Sequence, residues 1–187
     1  MIGIYFSGTG NTKYCLEKFV ALYDRNIEIT PLEDEGTIEK VKHHKDIIFA
    51  YPIYYSNLPK IVRDFICENS DAWKGKHIFI IATMGLFSGD GAGVSARLFK
   101  RYGAQIWGGL HLKMPDCICD VKALKRTPDQ NTMIEMDVRR FAFIFCFASR
   151  FTIRLVSFSN GNVIVLHSFR YHPNPQMLQK YPKGSTV

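Results

Sequence analysis

Residues 2–13 read Ile2-Gly3-Ile4-Tyr5-Phe6-Ser7-Gly8-Thr9-Gly10-Asn11-Thr12-Lys13. An apolar run breaks into hydroxyl, glycine and amide residues. A helical spacing follows at once in Tyr14, Cys15, Phe19 and Val20. The pattern predicts a strand, a turn and a helix in immediate succession. Such a turn aims free backbone N–H groups and a helix N-terminus at one point, which suits an anion and most often a phosphate.

Other glycine-rich loops fit poorly. A P-loop needs Gly-x-x-x-x-Gly-Lys-Ser/Thr, but Gly8 is followed by Lys13 with no second Gly-Lys pair. In a dinucleotide fingerprint Gly8 and Gly10 have their places, yet Lys13 stands where the third glycine belongs. Glu28 and Glu33 are poor matches for the acid expected after the second strand. What remains is a hydroxyl-rich loop, Ser7, Thr9 and Thr12 with Asn11, whose O–H and N–H donors can hold a phosphate dianion without a cation. An ordinary capped turn is the competing reading. The unbroken run of suitable residues after the first strand argues against it.

The chain beyond alternates strands and helices. Strands are expected at 26–29, 46–51, 77–83 and 105–112, and helices at 12–23, 37–43, 58–68 and 93–102. Ile47-Ile48-Phe49-Ala50 and Ile78-Phe79-Ile80-Ile81-Ala82 are continuous apolar runs, typical of strands covered on both faces. Short connections between alternating elements imply a parallel sheet with helices on both sides and right-handed crossovers. Residues 121–140 read as a polar helix interrupted by Pro128. The character then changes: 141–147 is Phe-rich, and Asn160-Gly161 between apolar runs signals a type I′ hairpin. We therefore divide the chain into a domain at 1–140 and an atypical basic, Phe-rich tail at 141–187. The tail reads either as an appended hairpin or as a truncated or frame-shifted remnant.

Ser7-Gly8-Thr9-Gly10-Asn11-Thr12 resembles the FMN-phosphate loop of the flavodoxin family. Two later loops match in position. One is Tyr51-Pro52-Ile53-Tyr54-Tyr55-Ser56-Asn57-Leu58-Pro59, after the third strand. The other is Thr83-Met84-Gly85-Leu86-Phe87-Ser88-Gly89-Asp90-Gly91, after the fourth. The resemblance covers about residues 1–140. It implies an α/β, flavodoxin-like three-layer sandwich with a five-stranded parallel sheet of order 2-1-3-4-5. It also implies bound FMN, with Ser7 to Thr12 on the phosphate. Pro52, Ile53, Tyr54, Tyr55, Thr83, Met84, Gly85, Phe87, Gly89 and Asp90 would then line the ring. Tyr54 or Tyr55 is the natural stacking partner, and Phe87 covers the other face or edge. More narrowly, the chain resembles the flavodoxin half of flavodoxin–ferredoxin proteins, but their iron–sulfur cysteine runs are missing. The resemblance implies an electron carrier between redox proteins, a ferredoxin or a reductase. The rivals are an NAD(P)H-dependent quinone or flavin reductase of the same fold, and a redox-inactive remnant.

Other features are bland. Asp90 is expected to cap the next helix, and His43 and His44 to be solvated. His77 and His111 bound strands without readable partners. Ser88 lacks a Gly-x-Ser-x-Gly frame, which argues against hydrolase chemistry. The five cysteines are scattered; Cys15 and Cys67 read as small buried hydrophobes, and Cys117 and Cys119 as reduced loop thiols. The net charge of +7 falls largely on residues 141–187, which contain no acid. No basic helix face accompanies it, so nucleic acid is not an expected partner. Without a membrane-length apolar run or a basic leader, a cytoplasmic location is expected.

Overall fold

The computed structural model describes residues 1–85 and 89–114, together with two strands at 156–159 and 162–166. The chain runs β1 (Ile2–Tyr5), α1 (Asn11–Tyr23), β2 (Glu28–Pro31), α2 (Thr37–His43), β3 (Asp46–Pro52) and α3 (Lys60–Glu68). After a 3₁₀ turn at Ser70–Trp73 it continues through β4 (His77–Met84), α4 (Gly91–Arg101) and β5 (Gln105–Lys113). The last described elements are β6 (Val156–Ser159) and β7 (Asn162–Leu166).

The first five strands form a parallel sheet of order 2-1-3-4-5, as the sequence implies. The sheet then extends to seven strands. β7 pairs antiparallel with β5, and β6 with β7, from Ser159 opposite Asn162 to Val156 opposite Val165. The expected helix at 121–140, the segment 141–147 and the Cys117–Cys119 pair lie outside the described residues.

The inner strands show why the apolar runs are continuous. Ile47 to Tyr51 and Ile78 to Met84 are all buried. Their side chains alternate between two apolar layers. Ile48, Ala50, Phe79 and Ile81 face α1, through Leu16 and Phe19. Ile47, Phe49, Tyr51, Ile78 and Ile80 face α3 and α4, through Val62, Ile66 and Phe99. In the second layer Phe49 stands edge-on to Phe99 at 5.1 Å and to Trp73 at 6.2 Å. Edge-on aromatic pairs add about 0.5–1.5 kcal/mol each beyond the area they bury.

Element boundaries shift where local bonding overrides pattern. The second strand begins at Glu28 rather than Asn26, because Asn26 donates its N–H to the Asp24 carboxylate (3.0 Å) in a turn. The third helix begins at Lys60, since Pro59 with ψ 143° starts it rather than continuing it. Between β4 and β5 the register steps from Ile78–Ile106 to Phe79–Gly108, leaving Trp107 as the extra residue of a bulge. Trp107 stacks on His77 at 4.3 Å, and His77 Nδ1 lies 2.8 Å from Asp46. Neither partner of His77 was readable in advance.

Replacing Phe49 by Ala should cost about 3–5 kcal/mol of stability, as for a large aromatic removed from a packed core. Urea unfolding checks it, and a loss below 1 kcal/mol would contradict the packing described. A second prediction concerns His111, whose Nδ1 is buried with no hydrogen-bond partner among the described residues. Burial holds this imidazole below its ordinary pKa of 6.5. The unfolded chain therefore takes up the proton at a higher pH than the folded chain. Stability should fall as pH drops below about 6.5, and His111→Phe should flatten that slope in thermal melts. An unchanged slope would refute this.

Candidate functional site

Parallel strands deliver their following loops to one end of the sheet. Here the loops after β1, β3 and β4 leave adjoining strands, and backbone bonds tie those strands to their ends. Phe6 N–H donates to Ala50 O at 2.9 Å, and Ile53 N–H to Thr83 O at 2.7 Å. The three loops therefore meet over the carboxyl ends of the strands, where open α/β sheets bind ligands.

The first loop runs from Phe6 to the start of α1. Gly8, Thr9 and Gly10 are exposed. Gly10 occupies the N-cap with φ 87°, a left-handed conformation that glycine adopts without strain. Having no side chain, it cannot cap the helix. Lys13 N–H is met by Ser7 Oγ at 3.3 Å. The 13-residue helix thus starts behind the exposed Gly8–Gly10 segment, with the N–H of its third residue bonded by Ser7. Thr12 is different from its neighbours. It is buried, and its hydroxyl bonds the equally buried Thr83 hydroxyl at 2.7 Å. Two hydroxyls joined by one bond retain one further proton for another acceptor. The pair locks the base of the first loop to the end of β4.

The second loop makes a tight turn. Tyr54 N–H donates to Asn57 O (3.1 Å) and Asn57 N–H to Tyr54 O (2.9 Å), with Tyr55 and Ser56 both at positive φ, 50° and 58°. This is the type I′ geometry, adopted here without glycine at either central position. Tyr55 points fully into solvent, whereas Tyr54 is 41% exposed and packs edge-on against Phe6 at 6.3 Å. A Cβ placed on Gly8 would lie 2.9 Å from the Tyr54 hydroxyl. Tyr54, not Tyr55, therefore reaches the first loop.

The third loop packs against the second. Gly89 has φ 51°, and a Cβ there would collide with Ser56 Cβ. One on Gly91 would stand 2.7 Å from Ile53 Cγ1. Both glycines thus serve loop-on-loop contact, while a Cβ on Gly85 would meet none of the described residues within 4 Å. Behind the loops Tyr51 O–H, wholly buried, bonds Ser95 Oγ at 2.6 Å and Gly91 O at 3.1 Å, pinning the start of α4 to β3. Burial raises the Tyr51 phenol well above its usual range, so it stays a neutral strut.

Asp90 corrects an expectation. It holds the N-cap position of α4, but its carboxylate makes no capping bond. It folds back over Gly93 to form a salt bridge with Arg97 two turns along, and this pairing lowers its pKa. Burial pushes the Cys15 thiol up to about 12, and its Sγ contacts Met114 Sδ at 3.3 Å, so it is packing and not a thiolate. Among the described residues no cluster of His, Cys, Asp or Glu could hold a metal, and no helix is long and apolar enough to cross a membrane.

The model of the flavodoxin domain matches residues 2–105, more than half of the chain. The chain belongs to the flavodoxin domain family. No curated protein sequence matches it. Among solved structures, it is similar to the two-electron reduced Megasphaera elsdenii flavodoxin, with 20% identity and a TM-score of 0.56 over 76% of this chain and 99% of that one. A Fusobacterium nucleatum flavodoxin bound to flavin mononucleotide gives 11% identity and 0.54 over 77% and 95%. An apo NADH:FMN oxidoreductase gives 13% identity and 0.53 over 76% and 88%. At these identities the likenesses concern the fold.

In this flavodoxin domain the structure brings together Ser7 to Thr12, Pro52, Ile53, Tyr54, Thr83, Met84, Gly85, Gly89 and Asp90 at one end of the sheet. Tyr55 lies in the same loop, fully exposed, and Phe87 lies outside the described residues. Sequence reading missed the Phe6 edge, the Thr12–Thr83 pairing and the Tyr51–Ser95 strut, none of which has a local signature. The pairing is testable. Thr83→Val should leave the Thr12 hydroxyl without its partner and lower stability by about 1–3 kcal/mol. Thr83→Ser should restore most of it in denaturant titrations. Equal loss in both variants would show that the methyl, not the hydroxyl, matters.

Proposed function

We propose that this chain binds FMN non-covalently and carries electrons between redox proteins. The observation that carries this reading is the meeting of two features. One is a helix N-terminus that follows exposed loop residues and has hydroxyl neighbours; the other is an aromatic residue held beside it by the next loop. The first suits a phosphate dianion without requiring a cation. The second suits an aromatic ring system. Backbone N–H groups of 8–12, with the hydroxyls of Ser7, Thr9 and the Thr12–Thr83 pair, would hold the phosphate. Tyr54 would contact the ring, with Pro52, Ile53, Met84, Gly85, Gly89 and Asp90 along its border. When bound, FMN supplies reversible electron storage.

The chain's own part is placement and exclusion. The interlocked loops at Gly89 and Ser56 hold the Tyr54 turn in place. Gly85 leaves space for close approach of a ligand to backbone. The buried Tyr51 strut keeps the start of α4 fixed while a ligand enters. The flavodoxin bound to flavin mononucleotide among the structural neighbours supports the same cofactor. The resemblance to the flavodoxin half of two-part proteins extends the reading to a separate ferredoxin, or a reductase, as partner in the cytoplasm.

Titration of purified protein with FMN should quench the flavin's fluorescence and give bound-flavin bands in the blue and near-ultraviolet. Unquenched fluorescence at saturating protein would sink the reading. Steady consumption of NAD(P)H with a quinone would replace the carrier by a reductase.

A further inference from the structure

Tyr54 is held unusually well for a surface tyrosine. Its backbone closes the 54–57 turn in both directions, and that turn is wedged against Gly89. Its ring meets the edge of Phe6, which fixes it sideways. The consequence is at the far end of the ring: the hydroxyl stands over Gly8, inside the first loop, at 2.9 Å from where a Cβ would lie. A side chain belonging to the ring-binding loop thus places its one polar atom in the anion-binding loop. Phenylalanine would serve equally for stacking or for covering Phe6. A phenol adds a donor that comes from the second loop, beside the backbone N–H groups and the side chains of the first loop itself.

We propose that the Tyr54 hydroxyl donates to the ligand's phosphate and adds a specificity contact from the second loop that favours phosphorylated flavin over riboflavin. This inference rests on the FMN reading given above. A hydroxyl bonded to an ionised phosphate forms a charge-assisted bond, stronger than a neutral one. Riboflavin offers the same ring but no such acceptor. The hydroxyl therefore acts on one ligand and the ring on both.

The test is a fluorescence titration of the full chain with FMN and, separately, with riboflavin. It uses wild type, Tyr54→Phe and Tyr54→Leu, each checked for unaltered thermal unfolding. Tyr54→Phe should weaken FMN about tenfold, equivalent to about 1.4 kcal/mol, and leave riboflavin unchanged. Tyr54→Leu should weaken both flavins. An unchanged FMN affinity in the Phe variant overturns the proposal, as does an equal loss for both flavins. Wild type that binds neither flavin overturns the FMN reading itself, and the two failures are therefore distinct.

Discussion

The structure depends on the burial of β3 and β4 between two apolar layers. A strand covered on both faces must satisfy every backbone N–H and C=O within the sheet, because neither water nor side-chain donors reach it. Ile47 to Tyr51 and Ile78 to Met84 meet that demand through full parallel pairing from Asp46–His77 to Pro52–Thr83. Unpaired backbone groups then occur only where the strands end. Since the strands are parallel, those ends lie together, and so do the polar groups they release. The same constraint that builds the core therefore builds a site at one end of the sheet.

That site is stiffened by contacts of unequal kinds. Two are hydroxyl bonds in buried surroundings: Thr12 with Thr83, where removal of one partner strands the other, and Tyr51 with Ser95, each of which also bonds a backbone carbonyl of α4. Two are steric, Gly89 beneath Ser56 and Gly91 beneath Ile53, where only the absence of a side chain lets the loops meet. The exposed ion pairs belong to a lesser class. Lys60–Asp64 and Asp90–Arg97 sit in solvent, where screening leaves such pairs little net effect. The opposite end of the sheet shows a stronger device. Lys76 Nζ donates to the Val41, Lys42 and His44 carbonyls at 2.7–2.9 Å and satisfies the end of α2.

Much of this was legible because it is local. The run from Ile2 to Thr12 contains its own strand, turn and helix start, and Ile47 to Ala50 states its double burial in four residues. Pattern reading missed what depends on residues distant in sequence. Thr12 and Thr83 are 71 positions apart, and Lys76 reaches α2 across 32 or more. Asp90 illustrates competition: its position is that of a cap, yet Arg97 offers a charged partner and Gly93 leaves the path clear. Asn26 illustrates the reverse, a residue that looked extended but bonds Asp24 two positions back and starts β2 late. The seventh and sixth strands add a further lesson, since a parallel sheet whose β5 has an available edge accepts an antiparallel pair there.

The two tyrosines of the second loop show how backbone geometry divides roles that sequence leaves equal. Tyr54 and Tyr55 are adjacent and chemically identical, and either could face a ligand. The turn gives them different surroundings. At the first position of the type I′ turn the Tyr54 ring packs edge-on against Phe6. At the second, with φ 50°, the Tyr55 side chain is thrown outward and touches solvent on all sides. A non-glycine residue in that left-handed conformation costs about 1–3 kcal/mol. The turn nevertheless holds its shape because Ser56 packs against Gly89, and a Cβ at 89 could not share that space. The third loop thus sets the second, and the second aims Tyr54 at the first.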